Sequence, residues 1–303
     1  MKPVRRQKIQ TITMVLTLQH HQHFPGIPSA SGLAFYNGHY YIVGDDATKL
    51  FILNADLTLN NRLPVPGAES NGEQPRIPKK IKKDWESLSI IKAANKTALM
   101  ALGSGSLAPH RNAALLYFPD TGAMEIKDLT AFYETLKLEA DLNIEAATEL
   151  GEALLLGNRG HLGKPENLLI LSAVQEIWKP VSGTHICHLH LPEEPGFSGI
   201  SGLAWHPEKD WLFFTTSKEE TTNVYDDGKI SDSRMGIIKN ATAAVKQSTV
   251  RPDEWFKLEE VHPVFNSQKI ESICVRELAD TMEIMLVADN DDGGSHIFRL
   301  AAG

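Results

Sequence analysis

Cysteine is scarce in this sequence. Cys187 and Cys274 are the only two in 303 residues, too few for a disulfide framework, so nothing calls for an oxidising compartment. Long apolar runs are missing as well. The nearest approach at the N-terminus, TITMVLTL (11–18), is interrupted by threonines and falls far short of the ~20 residues of a membrane span. No small-x-small cleavage site follows the basic start, so this stretch reads as a β-strand behind a solvated tail rather than as a signal peptide. Positive charge is not in excess: the net charge of −8 argues against a nucleic-acid partner. The one basic run, RIPKKIKK (76–83), is short and reads as a solvated linker. Two catalytic signatures are also absent. GFSGISG misses a nucleophile elbow by one position, and GSGS (103–106) lacks the Lys-Ser/Thr ending of a P-loop. What remains is an ordinary 42% hydrophobic content, enough for a substantial core. The expectation is a cytoplasmic protein forming one domain over residues 1–303, with neither membrane nor nucleic acid as partner.

Self-similarity is what the sequence has in abundance. SGLAFYNGHYYIVGDD (31–46) carries an Asn-Gly pair between two apolar runs, a strong hairpin signal because both turn residues accept positive φ. Comparable openings recur as ESLSI at 86, EAATE at 145, SGLAW at 201 and ESICV at 271. Their second positions (Gly32, Ser87, Ala146, Gly202, Ser272) and fourth positions (Ala34, Ser89, Thr148, Ala204, Cys274) are all small, the pattern of strands squeezed between neighbours. Each opening is followed by two further apolar runs. Helical periodicity is confined to LTAFYETLKLEA (129–140). The last copy is too short to stand alone, and the first 30 residues supply the missing length. An all-β fold follows: a β-propeller of five blades, its ring closed by the N-terminal strand. Six blades is the alternative if 217–262 holds a degenerate copy. Otherwise that interval reads as a lid or, by default, a surface excursion.

In such a ring the innermost strands start, and the second strands end, on one face beside the channel. The five starts are Ser31, Glu86, Glu145, Ser201 and Glu271. The second strands end in Asp45-Asp46, in Ser104 and Ser106, in Asn158-Arg159, in Lys218-Glu219 and in Asp289-Asn290-Asp291. Three glutamates in one inner ring raise one another's pKa unless something positive answers them. A divalent cation such as Ca²⁺, held by Glu86, Glu145 and Glu271 with Asp45, Asn158 or Asp289, is one answer. An ion-pair network with Arg159, Arg111 and Lys218 is another. Hydrogen bonding to backbone amides and channel water is the plainest. Ser104, in GSGS, together with Arg111 offers donors to an anion, against the reading of a simple loop. His188 and His190 share a face of an outer strand with no carboxylate near in sequence, which leaves a metal role there unsupported. His20, His21 and His23 read as an exposed loop, and Cys274 as packing.

These openings, with GDD, GSGS, NRG and ADND, resemble an uncharacterised bacterial β-propeller family. More distantly they resemble phytase-like esterase and gluconolactonase/paraoxonase-like propellers. In lactonase-like enzymes a glutamate at an inner-strand start joins Asn and Asp to hold a divalent cation in the channel. The resemblance implies Glu86, Glu145 or Glu271 in the first role, Asn158 or Asn290 in the second, and Asp45 or Asp289 in the third. The Glu-Gly-Pro opening of the gluconolactonase-like group is absent, Glu86 being followed by Ser-Leu. Two functions of different class remain open. The working expectation is a non-catalytic propeller binding a small polar or anionic ligand, or a partner, at its mouth through Arg159, Arg111, Ser104 and Lys218. The alternative is a divalent-cation-dependent hydrolase of an ester, lactone or phosphoester.

Overall fold

Short apolar runs punctuated by turns become strands, and pairing order shows how they assemble. The computed structural model describes residues 14–68, 76–93, 96–180, 183–219, 230–279, 281–290 and 293–303. Strand β1 (Leu16–Phe24) leads the chain. Asn37 and Gly38 then turn with φ of 46° and 80°, as a two-residue hairpin requires, and join β2 (Ala30–Tyr36) to β3 (His39–Gly44). With β4 (Lys49–Asn54) and β5 (Leu59–Pro64) they form the first blade, ordered β2-β3-β4-β5. The second is β6 (Trp85–Ala93), β7 (Lys96–Gly103), β8 (Ala113–Phe118) and β9 (Ala123–Asp128). Helix α1 (Thr130–Thr135) lies within the one segment of helical periodicity.

The third blade is β10 (Ile144–Leu150), β11 (Ala153–Asn158), β12 (Asn167–Ala173) and β13 (His185–Leu189). The fourth begins with β14 (Ser198–His206), β15 (Trp211–Glu219) and β16 (Ile230–Lys239). After the single turn α2 (Ala241–Ala244), the two-residue β17 (Thr249–Val250) runs parallel to β13 and adds a fifth strand to the third blade. Then β18 (Glu254–Lys257) completes the fourth blade, and α3 (Leu258–Val261) follows. The fifth blade is β19 (Ile270–Glu277), β20 (Met282–Asp289) and β21 (Ser295–Ala302), with β1 as its outermost strand. That pairing runs antiparallel from Leu16↔Ala302 to Phe24↔Ser295. The protein is a five-bladed β-propeller whose first and last strands share one sheet and close the ring.

The inner strands β2, β6, β10, β14 and β19 touch one another in sequence round the ring, β19 returning to β2. The small second position of each repeat is explained here. A Cβ on Gly32 would lie 2.7 Å from the Ser87 carbonyl carbon, and one on Gly202 3.0 Å from Ile273 N. Successive inner strands therefore approach at backbone distance. Ser272 accepts a hydrogen bond from Leu33 N at 3.1 Å across the closing junction. Apolar side chains fill the wedges farther out, in five clusters that each lie between adjacent blades. Leu50, Trp85 and Leu99 join the first pair. Phe132, Leu154 and Met100 join the second and third blades, and Tyr40, Val287 and Met285 join the last blade to the first.

Several expectations change. Residues 230–262 form no sixth blade: they supply β16 and β18, which the fourth blade needs, while 220–229 of the expected lid or excursion lie outside the described residues. His20, His21 and His23 are not in a loop but on β1, where His21 stacks on Phe298 with centroids 4.6 Å apart. The basic run is not solvated throughout, since Ile77 and Lys82 are buried. His188 lies on β13, which β17 flanks, and its ring stacks with that of His190 at 6.4 Å. No helix among the described residues is long and apolar enough to cross a membrane.

Candidate functional site

One irregularity recurs in every blade and builds the site. Pairing between the first two strands slips by one residue between Ala30 and Gly32, Trp85 and Ser87, Ile144 and Ala146, Ile200 and Gly202, and Ile270 and Ser272. The skipped residues are Ser31, Glu86, Glu145, Ser201 and Glu271, the same five that open the repeats. A bulge leaves its residue out of the ladder and re-aims its side chain, so five equivalent bulges present five polar side chains at one level of the channel. Two of them staple neighbouring blades. Ser31 donates to the Trp85 carbonyl, just before the next bulge, and Ser201 donates to the Ile270 carbonyl at 2.6 Å.

The three glutamates share one electrostatic environment. Burial, then Asp84, Glu145 and Asp45, push the Glu86 carboxyl well above its ordinary pKa, with Lys82 opposing. Burial is also the largest cause at Glu145, raised to about 7; Arg159 opposes it and Glu271 adds to it. Glu145 accepts from Asn143 Nδ2 at 2.7 Å and faces Arg159 at 3.6 Å. Glu271 pairs with Lys269 at 3.0 Å. Glu86 makes no hydrogen bond or ion pair among the described residues.

Beside Glu86 lies a charge cluster of which the sequence reading named Asp45, Arg111 and Ser104 but missed Lys82 and Asp84. Lys82 Nζ binds Asp45 and, at 2.7 Å, Asp84. Asp84 also takes Arg111 at 2.7 Å and the Ser104 hydroxyl at 2.5 Å. Burial alone would lower the Lys82 pKa, but Asp45, Asp84 and Glu86 outweigh it and raise it. Asp45, Asp84 and Glu86 offer carboxylate oxygens all within 4.8 Å of one another, a set able to hold a metal ion. The Lys82 ammonium already sits against two of the three.

Other expected site residues serve as framework. Asn158, fully buried, accepts from Asn143 N at 2.8 Å and donates to the Asp141 carbonyl at 3.1 Å, which leaves it as a backbone clamp. Arg159 reaches Glu145 while bonding Ser217 Oγ at 3.1 Å. Gly199 makes room for it, because a Cβ there would lie 2.4 Å from Arg159 Nε. Ser104 and Arg111 spend donors on Asp84, and Arg111 also donates to Ser106 at 2.7 Å. Asp289 sits at the end of β20, its N–H bonded to the Lys269 carbonyl at 3.2 Å, and its charge reaches Arg76. Lys218 stands apart, paired with Glu194 at 3.2 Å in a cleft beside Trp255.

The missed residues share one register. Asp84, Asn143 and Lys269 each stand two positions before a bulged glutamate, separated from it by a buried apolar residue. The motif polar–apolar–Glu (DWE, NIE, KIE) was a signal available in the sequence. Lys82 had none, lying in a basic run like any solvated one.

Titration of this ring has a defined sign. Glu145 unfolded titrates near 4.5 and folded near 7, so between those values the native state holds a proton that the unfolded chain has lost. Its contribution to stability is complete below about pH 4.5 and fades as pH rises through 7. Glu145→Gln is expected to flatten the loss of denaturation free energy between pH 5 and pH 8. A variant with the wild-type pH profile would remove Glu145 from the titrating set.

One protein-family model, described as "Family of unknown function (DUF6929)", matches residues 26–301, and the chain belongs to that family. No curated protein matches the chain significantly. Among solved structures, glutaminyl cyclase from Myxococcus xanthus is similar with 12% identity and TM-score 0.48, over 96% of this chain and 98% of that one. The PQQ-bound aldose sugar dehydrogenase from Streptomyces coelicolor gives 11% and 0.47, over 96% and 99%. Virginiamycin B lyase from Staphylococcus aureus gives 9% and 0.40, over 95% and 99%. None of these likenesses bears on the chemistry of this chain.

Proposed function

We propose that this member of the DUF6929 family is a non-catalytic propeller whose charged mouth binds a small polar ligand bearing a positive group, such as a primary amine. The observation that carries this reading is Glu86: a channel carboxyl with no close ion pair or hydrogen bond among the described residues, next to Asp84, Glu145 and Asp45, with only the more distant charge of Lys82 opposing them. A cation there relieves the repulsion that holds its pKa up, and charge-assisted hydrogen bonds to Glu86 and Glu145 supply affinity. Arg159, Arg111 and Ser104 act behind these carboxylates as supports. Titration calorimetry with putrescine as probe tests the reading. Saturable binding, weakened about tenfold or more in Glu86→Gln, is expected; equal heats for wild type and variant would sink it.

The acidic triad favours a second reading, in which a divalent cation at Asp45, Asp84 and Glu86 serves a hydrolase of esters, lactones or phosphoesters as a Lewis acid. Lys82 separates the two readings. With its ammonium seated there, millimolar Ca²⁺, Mg²⁺ or Mn²⁺ is expected to leave the wild-type melting temperature unchanged, while Lys82→Ala gains a Ca²⁺-dependent rise, as mass action requires of a ligand bound only by the native state. A rise already present in the wild type puts the cation reading in front.

A further inference from the structure

The channel changes character within a few residues. Past the bulges the inner strands carry Leu33, Leu88, Ala147, Leu203 and Ile273, and then Ala34, Ser89, Thr148, Ala204 and Cys274. These residues line a cavity of about 260 Å³. At ~3.3 Å per residue it lies roughly 7–13 Å along the strands from the charged ring. Members of all five interblade clusters line it: Leu33, Leu88, Ala147, Leu203 and Ile273 each belong to a different one. Its polar groups are few. Thr148 is engaged, accepting from Trp205 N at 3.2 Å. Burial keeps the Cys274 thiol neutral, pushed up to about 12, and burial raises the Glu149 carboxyl too. One group stands out: Ser89 is 5% exposed, and its hydroxyl has no hydrogen-bond partner. A buried hydroxyl left unpaired costs free energy that a bound acceptor recovers.

We infer that this apolar end of the channel is a second binding site, for a small uncharged hydrophobic molecule with a single hydroxyl or carbonyl that pairs with Ser89. The volume corresponds to about nine water-sized groups. The half-buried Glu149 carboxyl in the lining, and apolar walls that solvate a charge poorly, disfavour anions. The site is independent of the charged ring, since no residue is shared between the two.

Benzyl alcohol and toluene are the probes, followed by methyl-resolved NMR of the intact chain. Saturable shifts are expected in the methyl signals of Leu33, Leu88, Ala147, Leu203 and Ile273, with benzyl alcohol bound about fivefold more tightly than toluene, the worth of one neutral hydrogen bond. Ala147→Trp fills the cavity and abolishes the shifts. Should that variant fail to fold, Ser89→Ala decides alone by equalising the two probes. Absence of saturable shifts at these methyls, or a wild-type protein that does not distinguish the probes, overturns the assignment.

Discussion

Asp84→Asn is expected to lose about 3–5 kcal/mol of unfolding free energy, the range for breaking a buried ion pair from one side. Asp84 is 3% exposed and Arg111 3%, with Lys82 at 8%, and the Asp84 carboxylate holds both cations. Removing its charge leaves Arg111 buried beside a neutral amide and Lys82 with Asp45 and the more distant Glu86. Asparagine tolerates the positive φ of 59° found at this position, so backbone strain does not confuse the result. Urea denaturation checks it. A loss under 1 kcal/mol would mean that the cluster is solvated in the manner of a surface ion pair.

Removal of residues 1–24 is expected to abolish cooperative unfolding and to produce aggregates. The truncation strips β1 from β21 over its whole length and exposes a sheet edge, a template for pairing between chains. It also uncovers the cluster between the fourth and fifth blades, on which the partly buried Met14, Leu16 and Leu18 pack beside Phe298 and Leu300. Fully burying one such side chain contributes about 1.5–3 kcal/mol. The fifth blade is left with three strands, and its packing against the fourth blade loses that cover. Size-exclusion chromatography and a circular-dichroism melt read the outcome. A monomer with the wild-type melt would show that the ring does not depend on its closing strand.

Much of the architecture is legible without coordinates. The phase of the five openings fixes the blade number, because small second positions recur only where strands approach at backbone distance. The short last copy demands a strand from elsewhere, and β1 is that strand. Legibility failed where one residue type serves two environments. Lys82 and its neighbours in RIPKKIKK are alike in sequence, yet Lys82 alone among the four lysines of that run is buried. Residues 217–262 read as a polar excursion although Met235, Ile237 and Phe256 bring β16 and β18 into the fourth blade.

Local sequence by itself determined the repeat, the ring and the five polar residues at the inner-strand starts, since strand period and residue size are properties of neighbours along the chain. Tertiary structure alone decided which charges meet. Asp45, Lys82, Asp84, Glu86 and Glu145 come from three blades and the segments between them, and their ionisation depends on distances and burial that exist only once the ring has closed. Electrostatic energy follows separation in space rather than separation in sequence, and for that reason Arg159 and Arg111 could be named from the chain as cations of the ring while Asp84 and Lys82, at the centre of the charge cluster, could not.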